Sequence, residues 1–212
     1  MAESGQESEL QLIIRSQNGD VSAFNELVLL YQQMVYNVIL RMLGNADVAA
    51  DVTQDTFIAA FRGVQTFRGG TSFRAWLLRI ASNQACDYWR RTHRHPIESL
   101  DIMADEDEPH GAGILSSLAA SDQEGNPEEA LLSQELQELI QQALEELPLD
   151  QRVAVVLCDI QGLSYEEIAA TTQTTLGTVR SRISRGRTRL RKYLYDHREL
   201  LPRSYRLHTD RE

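Results

Sequence analysis

Residues 163–192 read LSYEEIAATTQTTLGTVRSRISRGRTRLRK, and the two helical periods inside them decide the fold. Ser164 and Glu167 stand at the S-x-x-E spacing of a capping box, where a hydroxyl and a carboxylate each satisfy a backbone N–H left free near a helix start. Ile168 and Ala169 give the helix that follows a small apolar face. TTQT interrupts the rhythm, and a second helix begins near Thr175. In it Leu176, Val179, Ile183, Gly186 and Leu190 recur at intervals of three and four, which is one stripe to be buried. At about 100° per residue the opposite face carries Thr178, Ser181, Ser184, Arg185, Thr188 and Lys192, flanked by Arg180, Arg182, Arg187, Arg189 and Arg191. A small helix packed under an arginine-bearing one is the geometry of a helix-turn-helix, whose second helix enters the DNA major groove. Arginine forks onto guanine there, and hydroxyls bond base edges or phosphates. A solvated basic helix is the plainer reading of these arginines, but it needs neither the capping box nor the buried stripe.

The formal net charge of the 212-residue chain is −10, the wrong sign for a nucleic-acid binder until the charge is located. Residues 1–95 carry nine acidic and nine basic residues; 96–150 carry fifteen acidic and no Lys or Arg; 151–212 carry twelve basic and seven acidic. The acidity sits in the middle, and the part holding the helix pair is net positive. Few aromatics, glycines and prolines favour helix over sheet. The two cysteines, Cys86 and Cys158, show no CxxC spacing, which leaves buried free thiols or a single long-range disulfide between them. The first ten residues have neither the basic start nor the apolar run of a signal peptide, and no stretch is apolar enough to span a bilayer, so a cytoplasmic protein is expected.

The expected architecture is all-α: two small helical domains at 1–95 and 127–195, a flexible acidic linker at 96–126, and a polar tail at 196–212. A short first helix ends near Asn18-Gly19-Asp20. A long amphipathic helix over 21–43 keeps its apolar rhythm from Phe24 to Met42 and stops at Gly44. A third helix spans 46–64, the FRGGTS loop follows with two glycines, and a fourth helix spans 73–92. Residues 96–126 are acidic, rich in small residues and without a sustained period, as in a linker. Asn126-Pro127-Glu128-Glu129 starts the next helix, with Leu132, Leu136, Leu139, Ile140, Ala143, Leu144 and Leu147 on one side. Asp150 is placed to cap the helix after that, which buries Val153, Val156, Leu157 and Ile160 and ends at Gly162.

Two further surfaces bear chemistry. On the third helix Ala49, Val52, Thr56, Ala59 and Ala60 face inward, while Asp51, Gln54, Asp55 and Ile58 form a contiguous exposed strip. Carboxylates around a glutamine and an exposed isoleucine suit protein docking, although a merely solvated face has the same pattern. On the fourth helix Leu77, Ala81, Ala85 and Tyr88 face inward. Trp76, Arg79, Asn83, Cys86, Asp87 and Arg90 make the other face, and Trp89, Arg91 and Arg94 extend its basic end. An aromatic, an amide and arginines beside a glycine loop suit single-stranded bases. Trp76 as a core residue is the competing reading.

Together DVTQDTFIAAF at 51–61, FRGGTSFRAWLLRIASNQACDYWRR at 67–91 and LSYEEIAATTQTTLGTVRSRISRGRTRLR at 163–191 resemble regions 2.2, 2.3–2.4 and 4.2 of the extracytoplasmic-function (ECF) group of bacterial sigma-70 factors. The resemblance implies a subunit that binds core RNA polymerase and directs promoter-specific initiation. It implies that Asp51, Gln54, Asp55 and Ile58 dock on the coiled-coil clamp of the largest polymerase subunit. The loop at 67–72 and the helix through Asn83 would capture a flipped base of the −10 element, with Ser72, Trp76, Arg79, Asp87 and Arg90 around it. Thr178, Arg180, Ser181, Ser184 and Arg185 would contact the −35 duplex. The linker would thread toward the polymerase active centre, its acidity suiting a basic channel built for RNA. An anti-sigma factor is the further implied partner. Gly186 departs from the alanine more usual in the family, and is expected to loosen its helix, since glycine there costs about 1 kcal/mol.

Other function classes fit less of the chain. His93, His95, His110 and Cys86 lack the paired spacing of a zinc site, and no phosphate loop or nucleophile elbow stands out, so neither a metal, a cofactor nor an enzyme is expected. A stand-alone helix-turn-helix repressor or activator would need neither the strip at 51–58 nor the face at 76–90. A sigma mimic that titrates an anti-sigma factor would not need the arginine-bearing helix.

Overall fold

The computed structural model describes residues 8–93 and 127–200, side chains at 127–133 excepted. These residues fall into two compact units, one within Met1–Arg94 and the other within His95–Glu212. The described residues form helices and turns only. The expected Asn126 cap, the linker at 96–126, Arg94, His95, His110 and the tail beyond residue 200 lie outside them.

The N-terminal unit packs α1 (Glu9–Gln17), α2 (Val21–Leu43), α3 (Ala46–Gly63) and α4 (Phe73–Thr92). Each start is fixed by a side chain that satisfies orphan N–H groups. Ser8 and Gln11 make a capping box on α1, and Asp20 accepts from Ser22 and Ala23 at the head of α2. Asn45 caps α3, and the Ser72 hydroxyl caps α4 by accepting from Ala75 N at 3.1 Å. Gly44 ends α2 at φ 75°, a left-handed angle that favours glycine. The core is Phe24, Leu27, Val35, Val38, Ile39 and Met42 of α2 against Ala49, Val52 and Ala60 of α3 and Phe73, Leu77, Leu78, Ala81 and Ala85 of α4. The expected third helix runs one residue short, because Val64–Thr66 tightens into a 3-10 turn before Phe67.

The C-terminal unit holds α5 (Pro127–Glu145), α6 (Leu149–Val155), α7 (Tyr165–Thr172) and α8 (Leu176–Asp196). Leu136, Leu139, Ile140, Ala143, Leu144 and Leu147 are buried. The end of α5 is closed by Arg152, whose Nη2 donates to Glu145 O at 2.8 Å and Leu147 O at 3.2 Å. Burial lowers the pKa of that guanidinium. Asp150 does not cap α6. Pro148 occupies the cap position without a side-chain bond, and Asp150 pairs with Arg182 of α8 at 2.9 Å instead.

A π turn over Val156–Ile160 follows α6. Its wider turn rotates the later side chains, so that Asp159 is buried at 4% exposure while Ile160 is only half-buried. The capping box forms as the spacing requires, with Ser164 N donating to Glu167 Oε2 at 2.9 Å and Glu167 N to Ser164 Oγ at 3.2 Å. Gln173 turns the chain at φ 54°, and Thr175 caps α8.

The stripe on α8 holds at Val179, Ile183, Gly186 and Leu190, but Leu176, in the first turn, is 38% exposed. Gly186 does more than loosen the helix. A Cβ there would stand 2.6 Å from Val155 Cγ2, so glycine lets α8 lie flush on α6. Gly186→Ala is therefore expected to destabilise this unit. It recovers about 1 kcal/mol of helix propensity but overpacks a stiff β-branched neighbour, at about 1–3 kcal/mol. Chemical denaturation of Gly186→Ala and of Gly186→Ala/Val155→Ala tests this: the double variant should regain stability, and a single variant as stable as wild type contradicts the close packing.

Candidate functional site

Three surfaces carry the sequence-derived site residues. On α3, Asp51, Gln54, Asp55 and Ile58 are all exposed, Ile58 at 41%. Their helix is held by the buried Ala49, Val52, Thr56 and Ala60, with Ala59 half-buried at the edge. Gln54 and Ile58 line a groove of about 750 Å³ between α2 and α3, with Val21, Val28, Tyr36 and Phe61 among its walls. Phe61 packs edge-on against Phe24 at 5.0 Å, yet stays 41% exposed. Exposed apolar side chains thus line a groove on this helical unit, with Arg62 also in its lining and Asp51 and Asp55 exposed on the same helix.

On α4 the residues divide. Arg79, Asn83, Asp87 and Arg90 are exposed along one side of the helix, which spans about 16 Å from Arg79 to Arg90 at 1.5 Å per residue. Asp87 pairs with Arg90 at 2.9 Å, so those two present a joined acid–base pair. Trp76 is half-buried, with its ring 5.4 Å from Phe67 and 5.3 Å from Phe73, and a Cβ on Gly63 would lie 3.4 Å from it. It thus packs the root of the glycine loop as much as it faces outward. Ser72 likewise spends its hydroxyl on the α4 cap. Beyond these, the Trp89 and His93 rings stack at 4.5 Å at the basic end of the helix.

On α8 the arginines are not equivalent, which spacing alone did not reveal. Arg187 bonds buried Asp159 through Nε at 3.0 Å, and that carboxylate raises its pKa. Arg182 bonds Asp150. Arg182 thus ties α8 to α6 and Arg187 ties it to the π turn that follows, whereas Arg180 and Arg189 are exposed. Of the expected DNA-reading set, Arg180 and Ser184 are exposed, and Thr178, Ser181 and Arg185 are half-buried. Thr178 N donates to the Thr175 cap, and the Ser181 hydroxyl donates to Thr178 O.

Cys86 and Cys158 are not joined in a disulfide, one of the two readings the sequence left open, and each is half-buried rather than buried. Burial, with Asp159 beside it, pushes the Cys158 thiol up to about 11, so it is protonated and poorly nucleophilic at neutral pH. No group of three His, Cys, Asp or Glu among the described residues is placed to hold a metal ion. No described helix is long and apolar enough to cross a membrane.

Comparison with known proteins places both units. Residues 27–95 match the model of sigma-70 region 2, and 137–190 match that of sigma-70 region 4. The chain is 42% identical over 185 residues to the ECF RNA polymerase sigma-E factor of Salmonella typhimurium, covering 87% of this chain and 93% of that one. It is 41% identical over 190 residues to the RNA polymerase sigma-H factor of Pseudomonas aeruginosa, covering 89% and 95%. Among solved structures, the sigma factor RpoE of Bartonella quintana, in complex with the anti-sigma factor NepR, matches with a TM-score of 0.59 at 28% identity, over 82% of this chain and 98% of that one. CnrH, in complex with the cytosolic domain of CnrY, matches in fold with a TM-score of 0.61 at 23% identity, over 90% and 99%.

Proposed function

The chain belongs to the ECF group of sigma-70 factors, subunits that bind core RNA polymerase and direct promoter-specific transcription initiation, and from that premise we propose how its residues divide the work. The α3 strip of Asp51, Gln54, Asp55 and Ile58 docks on the coiled-coil clamp of the largest polymerase subunit. The loop at 67–72 and Asn83 take up a base flipped from the −10 non-template strand. Arg79 and Arg90 supply cationic charge along the strand, and the ring of Trp76 backs the loop. On α8, Arg180 and Ser184 read the −35 duplex while Thr178, Ser181 and Arg185 flank them. Arg189 adds salt-sensitive phosphate contact.

The observation that carries this reading is the match to sigma factors across both units, in a chain whose docking strip and α4 row are exposed on separate helices. A stand-alone repressor or activator shares only the second of these units with such relatives. The chain supplies binding and the polymerase supplies catalysis, in the cytoplasm where the polymerase works. An anti-sigma factor is a further partner, supported by the 28%-identical RpoE seen with NepR, and it would cover these same surfaces.

Asn83→Ala tests the strand-opening assignment. Asn83 is exposed and fully helical, so the fold is expected to tolerate the change. Losing one base-edge reader should weaken −10 capture by about 10–100-fold. Permanganate reactivity of −10 thymines in complexes with core polymerase should fall accordingly, while −35 duplex contacts persist. Full reactivity in the variant removes Asn83 from the mechanism.

A further inference from the structure

The glycine loop leaves the surface abruptly. Arg68, Gly69, Gly70 and Thr71 are exposed, Gly69 at φ 72°, and a Cβ on either glycine would meet nothing within 4 Å. Its position is therefore set at its two roots, Phe67 on one side and the Ser72 cap of α4 on the other. The Phe67 ring is held by Phe73 at 5.6 Å, edge-on, and by Trp76 at 5.4 Å. Its backbone is held from a different element. Gln17, the last residue of α1, donates its side-chain amide to Phe67 O at 2.7 Å and to Val64 O at 3.2 Å, bridging 50 residues of sequence in the first case.

The end of α1 that carries Gln17 is itself tied down. Arg15 bonds Asp20 Oδ2 through Nε at 2.9 Å and Nη2 at 2.6 Å, and the same Asp20 caps α2. That pairing and the Ala23 N–H hold the Asp20 carboxyl below the usual carboxylate range. A half-buried amide that gives both its hydrogens to the backbone of one turn fixes that turn in place: Phe67 O has its donor in Gln17, and Val64 O, which already accepts from Phe67 N at 3.1 Å, gains a second one.

We propose that Gln17 is a positioning residue for promoter opening: through it α1 braces the Val64–Phe67 turn and so presents the loop at 68–72 in the geometry that receives the −10 base. This rests on the assignment of that loop to base capture. Gln17 touches no DNA in this role. Its chemistry requires a donor of about glutamine's length. Methionine keeps the shape and loses the donor, whereas lysine keeps a donor on a stem one atom longer.

The test uses holoenzyme reconstituted with wild-type chain, Gln17→Met, Gln17→Lys or Asn83→Ala. The probe is a fluorescent single-stranded −10 non-template oligonucleotide, taken from a promoter that the wild-type holoenzyme opens when selected from a randomised library. Core-polymerase affinity and thermal melting are read alongside. Gln17→Met should bind the oligonucleotide about tenfold more weakly, the scale of one or two net hydrogen bonds, with core affinity near wild type and melting lowered by about 4–8 °C or less. Gln17→Lys should recover most of that loss. Wild-type binding by Gln17→Met while Asn83→Ala is defective overturns the brace and leaves base capture standing. Wild-type binding by both removes base capture and the brace together. A Gln17→Met loss that lysine does not rescue, or that runs in parallel with lost core affinity, makes Gln17 an ordinary structural residue and also overturns the proposal.

Discussion

Arg187→Met is expected to unfold the C-terminal unit well before the N-terminal one. Asp159 has 1% of its side chain exposed, and the Arg187 side chain, 18% exposed, reaches both of its oxygens through its guanidinium. Removing the cation leaves a desolvated carboxylate without its partner, a loss of about 3–5 kcal/mol when a buried pair is broken from one side. Replacing both residues, as in Arg187→Met/Asp159→Leu, removes the stranded charge and should restore much of the stability. The sequence supplies the readout. Its two tryptophans, Trp76 and Trp89, both lie in the N-terminal unit, whereas helical circular dichroism reports on both units. In urea, ellipticity should fall in an early phase while the tryptophan midpoint stays put. An unshifted ellipticity curve with a shallower salt dependence of promoter binding would return Arg187 to the DNA face.

That prediction could not come from spacing alone, and the reason is physical. Periodicity tells which side of a helix is apolar, so the bounds of α2, Val21–Leu43, and α4, Phe73–Thr92, and most of their buried sides were legible, although Val28, Tyr31, Met34 and Tyr88 are only half-buried. The S-x-x-E capping box is equally local. Periodicity does not tell which polar group a neighbouring helix brings. Arg182 and Arg187 read only as flanks of the DNA-facing side, indistinguishable from Arg180 and Arg189, because their partners, Asp150 and Asp159, lie 32 and 28 positions away. Asp150, read as a cap, was committed to that contact instead. Gly186 looked like a defect in propensity because the constraint is Val155, on another helix. Gln17 gave no signal at all, since a glutamine at a helix end has no preferred partner until the fold delivers two carbonyls to it. The exposure of the α3 strip was readable because an apolar side chain on the same face as Asp51 and Asp55 is a conflict within one helix.

The largest functional loss is expected from that isoleucine. Ile58→Asp should weaken binding to core polymerase by about 30-fold or more, the scale of a hot spot above 2 kcal/mol. Ile58 already stands 41% exposed on the groove wall between α2 and α3, so an aspartate there is hydrated and should change folding stability by less than about 0.5 kcal/mol. On docking the same position is covered, and the carboxylate must lose its water without a built partner. Phe61, also 41% exposed, and Val21, at 54%, extend the apolar area that docking would cover. Asp51 and Asp55 lie exposed beside them, and rim charges act on encounter rate and salt dependence more than on residence. Asp51→Asn and Asp55→Asn should therefore slow association at low salt with a smaller loss of affinity, and Ile58→Leu should be close to neutral. Competition of each unlabelled variant against labelled wild-type chain for core polymerase, at two salt concentrations and with melting checked, separates these effects. Ile58→Asp that competes as well as wild type would take the docking face off α3, because no other exposed residue of that helix couples so large an apolar surface to so small a stake in the fold.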